Sequence, residues 1–155
     1  MNYPARVALL VSSLLSLAVA QPATPAKARA PKMTESAVFD WKELKVEERP
    51  NAERRAVFDN PTETLANFEC HITTLKVGES SGAAHPHNTN GLVEEVTFVK
   101  EGTVEISMND RRETIGAGSV FYFAPKDSVA IKNVGAIPAT YFVVAVRAKP
   151  APAKN

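Results

Sequence analysis

The chain has 155 residues, 45% of them hydrophobic and 23% charged, with 11 prolines and a single cysteine. That length fits one domain, the apolar share is too high for a disordered chain, and one cysteine excludes a disulfide framework. The net charge of +1 hides an uneven distribution, because all 17 acidic residues fall within residues 33–146 while Lys27, Arg29, Lys32, Arg147, Lys149 and Lys154 flank them. An acidic body with basic tails lacks the clustered Lys and Arg that nucleic acid demands.

Taken in chain order, residues 1–20 read as an address. Arg6 supplies one positive charge, residues 7–18 are an almost unbroken apolar run, and Ala18-Val19-Ala20 meets the small-x-small requirement of signal peptidase. The run is short for a spanning helix, and no cysteine follows it to carry a lipid. A signal peptide over 1–20 is therefore expected, with the mature protein starting at Gln21, secreted or periplasmic and free of the membrane. Residues 21–36, beginning QPATPAKARAPK, combine Pro and Ala without apolar periodicity and are predicted to form a disordered linker. Residues 149–155 are the same material and form a second flexible tail, which leaves 37–148 as the folding unit.

Within that unit the periodicity is that of strands. TVEISM at 103–108 alternates strictly, Asn109-Asp110 supplies a turn, and RRETI continues, so a hairpin with one wet face is predicted. VEEVTFV at 93–99, VFYF at 120–123 and TYFVVAV at 140–146 are β-branched and aromatic runs, and 65–77 contains the long strand FECHITTL. All seven glycines fall between such runs, where turns need backbone freedom. Short strands with Gly and Pro punctuation predict an all-β sandwich or barrel. Residues 39–58 are the weakest region, open to one helical turn or an edge strand. Trp41 is expected to pack across one end of the barrel. Glu47-Glu48-Arg49 and Glu53-Arg54-Arg55 read as a solvated face with local ion pairs.

The chemistry-bearing stretch is His85-Pro86-His87, then Glu94-Glu95, then Gly102. Histidines two apart on a strand share a face, and two imidazoles converging with a carboxylate make a metal site. Glu95 is followed by six residues and Gly102; downstream, Gly118 precedes Pro125 by the same interval and Asn133-Val134-Gly135 follows. This pattern resembles the two sequence motifs of the cupin superfamily, specifically a small single-domain type-2 cupin, over residues 65–146. The resemblance implies a jelly-roll β-barrel with a central pocket, a homodimer, and dioxygenase, isomerase, lyase or hydrolase chemistry on small molecules. It also implies that His85, His87 and Glu95 hold a divalent transition metal, with Mn, Fe, Ni and Zn indistinguishable from the ligands.

Two features depart from the family pattern. Glu95 follows His87 after seven residues, which lengthens the intervening loop by Asn88-Thr89-Asn90-Gly91. Val129 stands where the family places a third histidine, four residues before Asn133. Two histidines and one carboxylate still form the facial set of non-haem iron sites. Two readings follow. The first is an exported small-molecule cupin whose metal acts as a Lewis acid or activates oxygen or water, with Glu95 doubling as catalytic proton acceptor. The second is a metal-free barrel that binds a ligand or supports a dimer. His71 reads as a hydrogen-bonded barrel histidine, Cys70 as a small buried residue, and Glu94 as solvent-facing.

Overall fold

The computed structural model describes residues 36–86 and 93–150. The expected signal peptide, most of the expected linker, His87, residues 88–92 and residues 151–155 lie outside that part. The described chain is all β, with ten strands: β1 Val46–Glu48, β2 Ala52–Asn60, β3 Leu65–Leu75, β4 His85–Pro86, β5 Val93–Glu101, β6 Thr103–Met108, β7 Arg111–Gly116, β8 Val120–Phe123, β9 Ser128–Asn133 and β10 Ala139–Ala148. They form two antiparallel sheets: one of six strands ordered β1-β2-β3-β10-β5-β8, and one of four ordered β4-β9-β6-β7.

The two sheets face each other because their strands alternate. On β10 Tyr141, Val143 and Ala145 are buried while Phe142, Val144 and Val146 are only partly so. β8 and β9 alternate in the same way. Phe123, Leu75, Val104, Ile106 and Val129 meet between the sheets as the core. The hairpin β6–β7 forms as expected, with Met108 opposite Arg111 and the turn residue Asn109 at φ 53°. Its side chain ties the hairpin to β9, accepting from the Ser128 N–H at 3.0 Å and donating to Asp127 at 2.8 Å. Gly102, between β5 and β6, has φ +84°, and a Cβ there would lie 2.7 Å from the Ala139 Cα. A side chain at this position would therefore push two strands apart as well as strain its own backbone.

The ambiguous stretch 39–58 resolves mainly as strand, after a turn in which the Glu43 N–H donates to the Asp40 carbonyl at 3.0 Å. β1 pairs with β2 through Val46↔Arg55 and Glu48↔Glu53, so an edge hairpin takes the place of the helical-turn alternative. Trp41 does not close a barrel end. Its ring lies tilted against Phe142, centroids 6.3 Å apart, on the outer face of the six-stranded sheet, with the Lys100 ammonium 4.2 Å and the Arg55 guanidinium 4.7 Å from its centroid. Phe39, Phe58 and Phe68 continue the same layer. These outward aromatics, with Ile72 and Cys70 beneath them, give the segment before β1 something apolar to cover.

Candidate functional site

The site grows from the pleat of three neighbouring strands. Tyr141 is paired in register with Thr73 and Val99, Val143 with His71 and Thr97, and Ala145 with Glu69 and Glu95. These residues share the inward face, so one wall of the barrel carries a ladder of polar groups around the small Ala145. β2 adds Arg54, in register with Thr73. β9 supplies an apolar counter-wall of Val129 and Ile131. Between them lies a cavity of about 190 Å³ lined by Arg54, His71, Thr73, Glu95 and Tyr141, with Leu75 and Val143 of the same sheet, on one side and Val129 and Ile131 on the other. A depression of about 240 Å³ beside it is bordered by Asn67, Glu69 and Arg147 and shares His71 and Glu95.

The charges at this wall are arranged as a chain. The Glu69 carboxylate accepts from the Arg54 guanidinium at 2.8 Å and from His71 Nδ1 at 2.9 Å, through the same oxygen. The His71 hydrogen bond first, then the charges of His71 and Arg54, hold the Glu69 carboxyl below the usual carboxylate range against the opposing effect of burial. Tyr141 is 3% exposed, and burial drives its phenol far above the ordinary value, so it remains an O–H donor in the cavity. Glu95 is 7% exposed and accepts from the buried Thr97 hydroxyl at a long 3.5 Å. Cys70 faces the other side of β3, where burial chiefly, and then the Glu69 charge, raise its thiol pKa.

Among the sequence-derived site residues, Glu95 lies inside and its neighbour Glu94 is exposed, as expected. His85 lies on β4 with its backbone in register with Val129, and Val129 is 1% exposed in the cavity wall. His87 is outside the described residues. Among the described residues no three His, Cys, Asp or Glu side chains cluster as a metal centre. His71 is hydrogen-bonded in the barrel, as read, but it also lines the cavity. The reading of Glu53-Arg54-Arg55 as a solvated face holds only in part. Arg55 pairs locally with Glu53, whereas Arg54 turns inward to Glu69. Sequence reasoning missed Arg54, Glu69, Thr73 and Tyr141 as site residues. The i, i+2 spacing of Glu69, His71 and Thr73 along a strand, which places them on one face, was the signal that could have found two of them.

A two-sheet antiparallel barrel enclosing a small polar-walled cavity defines a class of binding and catalytic barrels, and the comparisons give that class its name. Residues 71–145 match the family model of the cupin domain. The chain carries a small type-2 cupin domain. Solved structures agree on the fold. An RmlC-like cupin from Shewanella frigidimarina superposes with TM-score 0.60 at 14% identity, over 74% of this chain and 94% of that one. A predicted oxalate decarboxylase from Thermotoga maritima gives 0.59 at 19%, over 72% and 99%. A sugar phosphate isomerase of the cupin superfamily from Silicibacter pomeroyi gives 0.56 at 16%, over 72% and 76%. At such identities the likeness speaks for the jelly-roll fold alone. No curated protein matches the sequence.

Proposed function

We propose that this chain is an exported cupin that binds a small polar molecule inside its barrel, beside a divalent transition metal held by His85, His87 and Glu95. The observation that carries the reading is the cavity itself, which joins a buried carboxylate, an imidazole, a guanidinium and a phenol to an apolar floor. At about 190 Å³ it is below the roughly 300–1,000 Å³ of drug-sized pockets, so the occupant is a small metabolite. Of the structural neighbours, one is described as a predicted oxalate decarboxylase and one as a sugar phosphate isomerase, names that point to small polar molecules.

Two imidazoles and a carboxylate suit Mn, Fe, Ni or Zn, and the register of His85 opposite Val129 brings β4 to the wall that faces Glu95. Bound there, the metal supplies Lewis acidity to a ligand oxygen. The metal-free alternative has its own support in Val129, a buried aliphatic side chain at the position of the missing ligand. Titration calorimetry of the purified mature chain with Mn, Ni and Zn separates the readings. Binding of any of them supports the metal site, and heat-silent titrations with all three favour the metal-free barrel.

Export and self-association complete the proposal. Ala18-Val19-Ala20 predicts that protein recovered from the periplasm or medium begins at Gln21; an N-terminus at Met1 in that material removes the signal peptide from the account. Phe98, Val120 and Tyr122 are exposed together on the outer face near the edge strand β8, with Phe98 in register with Val120. Covering this patch with a second copy gives a homodimer, which light scattering at high micromolar concentration should detect; a monomer there rules it out.

A further inference from the structure

The Glu69–His71 pair has a consequence for ligand chemistry. Because hydrogen bonds and charge keep Glu69 ionised, its oxygens only accept, so His71 Nδ1 is the donor in their 2.9 Å contact. In a neutral imidazole, N–H at Nδ1 leaves the lone pair at Nε2. The ring borders both the cavity and the adjoining depression, and among the described residues no hydrogen bond is made at Nε2. Arg54 holds Glu69 from the other side, so the carboxylate, and through it the ring, is fixed. A guanidinium carries five N–H donors, of which the Glu69 contact engages one, and Arg49 lines the same cavity.

We propose that His71 is a catalytic residue of this barrel, accepting at Nε2 the proton of a ligand hydroxyl, with Glu69 as its positioning residue and a small hydroxy acid as the ligand class. The proposal rests on the cavity being a small-molecule site. In the step, the ligand O–H bond breaks and its electron pair stays on oxygen. An N–H bond forms at Nε2, and the resulting imidazolium is stabilised by the Glu69 carboxylate 2.9 Å from Nδ1. The buried Tyr141 hydroxyl, which stays protonated and is hydrogen-bonded to Thr73, adds a polar group to the wall where the oxyanion develops, beside the remaining Arg54 donors. This arrangement needs no metal to orient the base.

The test uses the full chain, isotope-labelled, with chelator present and glycolate as the probe. Long-range proton–nitrogen correlation spectra of the wild type should find N–H at Nδ1 and a lone pair at Nε2 of His71, and the Nε2 resonance should move on adding glycolate. Glu69→Gln should shift the ring towards the Nε2–H tautomer and weaken glycolate about fivefold or more, the size of one oriented hydrogen bond. If that variant misfolds, the wild-type tautomer still decides. An Nε2–H tautomer in the wild type overturns the assignment of His71 and leaves the cavity reading standing. A response to glycolate at Thr73 and Tyr141 but not at Nε2 does the same. A lone pair at Nε2 with no response at any cavity residue overturns the cavity as a hydroxy-acid site, and the role of His71 falls with it.

Discussion

Asn133→Ala should cost the domain about 3 kcal/mol, a large fraction of the roughly 5–15 kcal/mol that holds a domain together. Asn133 is 0% exposed, and its amide donates to the carbonyls of Leu75 at 3.2 Å, Lys76 at 3.2 Å and Ile137 at 2.9 Å. Its own oxygen accepts from the Gly135 N–H at 3.0 Å. One side chain therefore joins the end of β3, the end of β9 and the loop into β10. Truncation takes the donor from the buried Leu75 carbonyl and from the part-buried Ile137 carbonyl, while Lys76 keeps the Glu79 N–H at 3.1 Å, and each unsatisfied buried group costs about 1–3 kcal/mol. Asn133→Asp separates shape from donation, because it keeps the oxygen for Gly135 but turns a second acceptor towards three carbonyls. It should destabilise at least as much as the alanine. Urea unfolding checks both variants. An Asn133→Ala midpoint within 0.3 M of wild type, where slopes run about 1–3 kcal/mol per molar, would show that the loop is held by other contacts.

Val129→His should raise affinity for Mn, Ni or Zn at least about tenfold, roughly 1.4 kcal/mol, while His85→Ala abolishes binding in both backgrounds. Val129 is in register with His85 and lines the same cavity as Glu95, so an imidazole there completes a coordination sphere on a strand that is already ordered. Glu95→Gln, which keeps the shape and removes the charge, should weaken binding without disturbing the fold. The introduced histidine enters a wall packed with Ile131, so some stability should be lost in the metal-free state and regained on loading. A folded Val129→His protein with unchanged affinity would mean that the metal site is not at this wall. The metal-free barrel would then be the better account.

How much was legible follows from the physics of each element. β6 was visible in the sequence because one face is wet and the other packed, which prints a period of two, and β7 followed from the Asn109-Asp110 turn, whereas β5, β8 and β10 were visible as β-branched and aromatic runs of strand length. β2 was not, because a register shift between Ala56 and Phe58 breaks that period, and because its charged run ERR resembles a solvated face. Trp41 was expected at a barrel end because nothing in the linear chain says that the outer face of the six-stranded sheet is also apolar. Glu95 could be chosen over Glu94 from its spacing to Gly102, and alternation along β5 puts it inside.

The sequence by itself determined the all-β class, the two-motif cupin pattern, and the candidates His85, His87 and Glu95, since these depend on residue type and short spacing. Only the tertiary structure decided that Arg54, Glu69 and His71 form one hydrogen-bonded chain on the cavity wall. Arg54 and Glu69 are 15 residues apart in sequence and meet only through the pairing of β2 with β3. Likewise Tyr141 reaches Thr73 and His71 reaches Val143 only because β10 lies between β3 and β5. Such contacts are set by strand order and register, which the packing of two whole sheets selects and no local window encodes.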